Sequence, residues 1–120
     1  MEELTKTEEP IMQALWKLKR AFVKDIIELL PDDPKPPYNT VSSVVRILVR
    51  KGYVGFTAYG KTYEYFPLLS KAQYRANTVK TMLARYFDNS PVALVSYMVE
   101  ETLSPKELAQ LRKLLDDQAN

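Results

Sequence analysis

Apolar residues recur along this 120-residue chain in a helical rhythm that is interrupted once, near the middle, by two β-rich stretches. Ile11, Met12, Leu15 and Trp16 fall at one-turn spacing, which predicts a first helix ending near Lys17. Thr5 and Glu8 have the separation of a reciprocal N-terminal cap, and Pro10 suits a first turn. Arg20-Ala21-Phe22 reads as a short extended link. Val23, Ile26, Ile27 and Leu30 then keep the i, i+3, i+4, i+7 spacing of a second helix, ended by Pro31. Residues 31–37, PDDPKPP, contain four prolines and cannot be regular helix, so a stiff connector is expected.

A third helix is predicted from about Tyr38 to Lys51. Val41, Val44, Val45, Leu48 and Val49 form its buried stripe, and its outer face carries Asn39, Ser42, Ser43, Arg46 and Arg50. Valine favours strands by propensity, but strict alternation is absent, so spacing decides for helix. Gly52 stands where a left-handed terminal residue belongs, just after Arg50-Lys51, whose charges suit the end of a helix dipole. Tyr53–Tyr59 and Thr62–Phe66 follow as strands around a Gly60-Lys61 turn, and Pro67 ends the second. A helix, a glycine stop and a tight hairpin with a basic tip form the arrangement that a winged helix presents to DNA.

The remainder is helical. Ser70 can cap a long helix running through Phe87, Asp88-Asn89-Ser90-Pro91 breaks it and starts another, and Ser104-Pro105-Lys106-Glu107 is a capping box opening the last. Three short helices bury little surface alone, so pairing of two copies is expected; the alternative is that they fold back onto the first module. The expected fold is therefore mainly α with a small antiparallel β wing. A winged helix-turn-helix DNA-binding domain spans residues 1–68, and a three-helix dimerisation region spans residues 69–120.

Composition narrows the chemistry. Cysteine and histidine are both absent, which removes disulfides, thiolate zinc sites, cysteine or serine–histidine nucleophiles and imidazole acid–base work. No enzyme, cofactor or metal is expected. The acidic start MEELTKTEEP has no apolar core, and no run approaches the roughly 20 apolar residues of a membrane span, so a cytoplasmic chain without membrane insertion is expected. The net charge of +2 is uninformative, but its distribution is not: residues 1–34 carry −3, residues 35–64 carry +4 and residues 65–120 carry +1. Positive charge thus gathers on the third helix and hairpin, where phosphates would need it.

The candidate DNA contacts follow. Ser43 and Ser42 are short enough to enter a major groove. Asn39 and Thr40 lie where a helix N-terminus can meet phosphate, unless one merely caps the helix. Arg46 could pair bidentately with guanine or bind a phosphate. Arg50 could bind backbone or, with Lys51, only complement the dipole. Lys61 sits at the wing tip. Tyr59, Tyr63 and Tyr65 suit a packed sheet face better than base stacking. The competing readings are a winged-helix module for protein–protein contact and, more remotely, an enzyme.

The segments LTKTEEPIMQALWKLKRAFVKDIIELL, TVSSVVRILVRKGYV and GKTYEYFPLLSKAQY, continued by LARYF and LSPKELAQLRKLL, resemble the BlaI/MecI family of penicillinase repressors, to which the copper-responsive CopY repressors are related. The motif residues are Thr40-Val41-x-Ser43, Leu48, Lys51-Gly52 and Gly60-Lys61-x-Tyr63-x-Tyr65. The resemblance implies a homodimeric winged-helix repressor of beta-lactam resistance or related genes. Its partners would be a palindromic double-stranded operator and a membrane sensor protease that releases it by cutting the dimerisation helices. The family's reading-helix arginine falls on Ile47, beside Arg46. The family's cleaved Asn-Phe bond falls near Ser96-Tyr97, which keeps the aromatic and not the asparagine. The cysteine cluster of the copper branch has no counterpart.

Overall fold

The computed structural model describes residues 1–119. Its elements are α1 (Glu8–Leu18), α2 (Val23–Leu29), α3 (Tyr38–Arg50), β1 (Val54–Tyr59), β2 (Thr62–Pro67), α4 (Lys71–Tyr86), α5 (Pro91–Glu101) and α6 (Pro105–Ala119). They fall into two compact units, Met1–Asn77 and Thr78–Asn120. The first is a winged helix-turn-helix.

The local signals work as read. The Thr5 hydroxyl accepts from the Glu8 N–H at 3.2 Å, and the Glu8 carboxylate accepts from the Thr5 N–H at 2.9 Å, closing the reciprocal cap ahead of α1. Asp25 accepts from the Phe22 N–H at 3.0 Å at the start of α2. At the other end of α2, the Lys35 ammonium reaches back to the carbonyls of Leu30 and, at 3.2 Å, Glu28. The one cation of the proline connector is therefore used inside the fold, on carbonyls that the helix end leaves open.

α3 ends in a Schellman motif: the Gly52 N–H donates to the Val49 carbonyl at 3.0 Å and the Tyr53 N–H to that of Leu48, also at 3.0 Å. Gly52 holds φ +81°, the left-handed region that only glycine enters cheaply. Tyr53, expected to begin the first strand, instead completes this motif, and pairing starts one residue later at Val54↔Pro67. The hairpin closes at Tyr59↔Thr62 around Gly60 (φ +64°), at the position that a II′ turn reserves for glycine.

The core gathers one face of every element of this unit. Met12 and Leu15 of α1, Ile26 of α2, Val45 and Leu48 of α3 and Val54 of β1 are all essentially solvent-free. Each such side chain stabilises the fold by roughly 1.5–3 kcal/mol. The Arg20–Phe22 link does more than span two helices. Ala21 exchanges backbone hydrogen bonds with Tyr65 at 2.9 and 2.8 Å, so the link pairs with β2 and fixes the hairpin against the helices.

Beneath the end of α3 lies a charged knot. The Lys51 ammonium contacts the Glu8 carboxylate at 2.9 Å and that of Glu2 at 3.4 Å, and Glu8 is buried. Burial alone would raise the Glu8 carboxyl, but the Thr5 hydrogen bonds and the Lys51 charge outweigh it and hold the group below its ordinary 4.5. Glu8 in turn raises Lys51.

In the second unit the serine caps are again as expected. Ser90 accepts from the Ala93 N–H at 3.0 Å, and Ser104 and Glu107 form a reciprocal box at 3.0 and 3.2 Å. α4 stops at Tyr86 rather than Phe87, because Asp88 and Asn89 turn left-handed (φ 52° and 60°). No side chain of α4, α5 or α6 is buried. The expected boundary at 68/69 also moves: the units divide inside α4, at 77/78. The physical reason is Tyr74, whose hydroxyl accepts from the Leu4 N–H at 3.0 Å and whose ring lies 5.9 Å from that of Trp16. These contacts keep the first turns of α4 with the first unit. Among the described residues, no helix is long and apolar enough to cross a membrane.

Two outcomes are expected. A Cβ at Gly52 would meet nothing within 4 Å, so Gly52→Ala carries only the left-handed backbone cost, about 1–2 kcal/mol by chemical denaturation. Glu8→Gln leaves Lys51 without its main partner and lowers the melting temperature by several degrees. A depressed carboxyl stabilises the fold above its unfolded value near 4.5 and loses that contribution as pH falls through the folded value. The gap between wild type and Glu8→Gln is therefore full near neutrality and closes under acid; a gap constant from about pH 7 to about pH 3 contradicts this account of the pair.

Candidate nucleic-acid interface

α3 buries Val41, Val44, Val45 and Leu48, and that choice sets its outward side. Asn39, Ser43, Arg46 and Arg50 form one exposed stripe at i, i+4, i+7 and i+11. Ser42 does not belong to it. It is only 9% exposed and sits on the inner side, because it flanks the Val41–Val45 stripe that packs on the neighbouring helices. Its expected place on the outer face is corrected accordingly. Ile47, where the family arginine falls, takes up part of the outward surface at 37% exposure.

Neither Asn39 nor Thr40 caps α3. The cap position is Pro37, which has no side-chain acceptor, and its carbonyl accepts from the Thr40 and Val41 N–H groups at 3.1 and 3.2 Å. The N–H groups of Tyr38 and Asn39 receive no hydroxyl or carboxylate cap, in contrast to the serine-capped starts of α4, α5 and α6. Asn39 and Thr40 are exposed beside them. An uncapped N-terminus concentrates open donors and the positive end of the helix dipole at one place.

The cations divide sharply. Lys51 is committed to Glu8 and Glu2, and Lys35 to carbonyls at the end of α2. Arg20 lies 3.7 Å from the Glu64 carboxylate and 4.8 Å from the centre of the Phe66 ring. No carboxylate among the described residues pairs with Arg46, Arg50 or Lys61, and all three are exposed. The pair Arg50-Lys51, read together from sequence, is thus split between surface and scaffold.

Between α3 and the hairpin runs a groove of about 540 Å³, with Ser43, Arg46 and Arg50 on the helix side and Phe56, Tyr63 and Tyr65 on the sheet side. Phe56 faces Tyr65 across the strands, and alternation brings Tyr63 to the same face, where its ring meets that of Phe56 edge-on at 5.1 Å. The three tyrosines considered together therefore separate. Tyr65 is buried, and burial raises its phenol although the nearby Arg46 guanidinium pulls the other way. Tyr63 (40% exposed) lines the groove, and Tyr59 points to the opposite face against Phe22. Phe56, 49% exposed, is the groove residue that sequence reading missed; its only signal was the register with Tyr65. Lys61 stands at the exposed tip of the hairpin.

Ser96 and Tyr97 lie in the body of α5, both exposed, with the Tyr97 ring 6.0 Å from that of Phe87. Among the described residues, no group of three or more acidic side chains could hold a metal ion.

A profile of the penicillinase repressor family matches residues 4–117. The chain is similar to the methicillin resistance regulatory protein MecI of Staphylococcus aureus (strain N315), with 25% identity over 115 residues that cover 95% of this chain and 94% of that one. It is also similar to the penicillinase repressor of Bacillus licheniformis, with 19% identity over 119 residues covering 98% and 93%. Among solved structures it matches that of Bordetella bronchiseptica BpsR, described in terms of the regulation of its DNA binding by 6-hydroxynicotinic acid, at a TM-score of 0.49 and 17% identity, covering 98% of this chain and 80% of that one. With the family profile spanning both compact units, the chain belongs to the penicillinase repressor family of transcriptional repressors.

Proposed function

We propose that this chain is a homodimeric winged-helix repressor that binds a palindromic DNA operator. The observation that carries the reading is the division of cations: Arg46, Arg50 and Lys61 are left without acidic partners on α3 and the hairpin, while the neighbouring Lys35, Lys51 and Arg20 are engaged within the fold. Leaving Arg46 and Arg50 unpaired on the groove and Lys61 unpaired at the hairpin tip serves no purpose in stability, but it suits a polyanion.

In this reading α3 enters the major groove, with Ser43 and Arg46 toward base edges and phosphate. Asn39, Thr40 and the open N–H groups at the start of α3 meet phosphate. Arg50 and Lys61 track the backbone on either side. Dimerisation falls to the second unit, whose helices bury nothing themselves yet expose Tyr86, Val92, Tyr97 and Met98. A second copy is the simplest cover for such a surface. Cutting at Ser96-Tyr97 by a sensor protease would release the operator by separating two linked readers into two weak ones. That bond lies within α5, so its turn must first open into an extended form a protease can accept.

The test is a mobility shift with the full chain and DNA from upstream of its own gene. A specific band is expected at low salt, with two half-sites about one helical turn or a multiple apart. Absence of that band, or binding to a protein partner that competitor DNA leaves untouched, would favour a protein-contact module instead. Arg46→Ala should weaken binding and lower the slope of log affinity against log salt by about 1. Ser42→Ala should leave affinity as it is, because the side chain faces inward.

A further inference from the structure

The groove between α3 and the hairpin has two chemically unlike walls. On the helix side stand Arg46 and Arg50, exposed and, among the described residues, without a carboxylate partner. On the sheet side stand three rings. Tyr65 is buried, but Phe56 is 49% and Tyr63 40% exposed. The strands fix this arrangement: Phe56 pairs with Tyr65, Tyr63 pairs with Ala58, and alternation brings all four to one face. The rings brace one another. Phe56 and Tyr63 meet edge-on at 5.1 Å, and they lie 6.3 and 6.4 Å from Tyr65. The core of this unit is closed by other side chains. Phe56 and Tyr63 belong neither to its buried cluster nor to the partly buried residues packed against it. Much of each aromatic side chain is thus left in water, directly across from two unpaired cations.

A partner that fills this groove must offer anions to one wall and apolar rings to the other. One strand of a DNA duplex does so, because its phosphates alternate with deoxyribose. We propose that Phe56 and Tyr63 pack against the deoxyribose of the strand whose phosphates Arg46 and Arg50 hold, so that the groove grips one backbone on its charged and its apolar side together. The proposal rests on the DNA-binding reading above and adds an uncharged contribution to affinity. A contact to sugar positions the protein and carries no sequence information. Neutralising a phosphate releases counterions, whereas removing apolar surface from water does not. The two walls therefore leave different marks on binding: the arginines set its salt dependence, and the rings strengthen it equally at every salt concentration.

The experiment is a salt titration of the full chain on three probes: an operator selected from random duplexes, a scrambled duplex of the same length, and the operator with uracil in place of thymine. Phe56→Ala and Tyr63→Ala should each weaken binding about tenfold, by the same factor on all three probes, with the slope of log affinity against log salt unchanged. Arg46→Ala is the contrast, since it lowers that slope by about 1. Phe56→Leu, which keeps an apolar side chain on Tyr65, should show a smaller loss at the melting temperature of wild type, and so separates a lost contact from a loosened hairpin. Alanine and leucine variants that bind like wild type overturn the proposal and leave the DNA-binding reading standing. A loss confined to the operator, or one that disappears with uracil, places the rings on bases and overturns the sugar contact. A loss that comes with a lower salt slope overturns it as well. A wild-type chain that binds no duplex overturns both the proposal and the reading beneath it.

Discussion

Burial of one edge of α3 against α1, α2 and β1 is the constraint from which the rest of the first unit follows. Val41, Val44, Val45 and Leu48 have no other way to leave water, and once they do so the helix has no rotational freedom left. Asn39, Ser43, Arg46 and Arg50 are then outward by geometry alone. The same burial carries Ser42 inward and leaves Ile47 at the surface. A rotation that exposed Ser42 would pull valine side chains out of the core, at a cost a single serine–DNA contact could not offset.

Polar interactions then fix the ends of that helix. At its start the cap residue is a proline, and open N–H groups remain. At its end a Schellman motif and the Lys51–Glu8 contact leave little unsatisfied. The two ends are therefore chemically opposite, one available to an anion and one closed into the scaffold. Lys51 shows why charge counting misleads here. It contributes to the positive segment of the sequence, yet its ammonium is committed inside the fold.

The two units are stabilised on different terms. The first encloses a core with solvent-free side chains from three helices and the hairpin. The second has α5, α6 and most of α4 but, among the described residues, no buried one, and its larger apolar side chains remain partly or largely exposed. Some 43 residues offer too little interior to stabilise three helices by themselves.

Much of this was legible in the order of residues. Helical spacing, serine and threonine caps and glycine at two left-handed positions are local signals, and each element appeared within a residue or two of its expected place. Sequence also sufficed to exclude thiol and imidazole chemistry, since neither group is present. What only the tertiary structure decided were relations between residues far apart in the chain: Ala21 with Tyr65, Leu4 with Tyr74, Lys51 with Glu8, and Phe56 beside Arg46 across one groove. Periodicity gives a helix its faces to within one residue, and Ser42 lay on that margin until its neighbours settled the rotation. Pairing partners and the commitment of each cation depend on how the elements pack, and no local pattern encodes that.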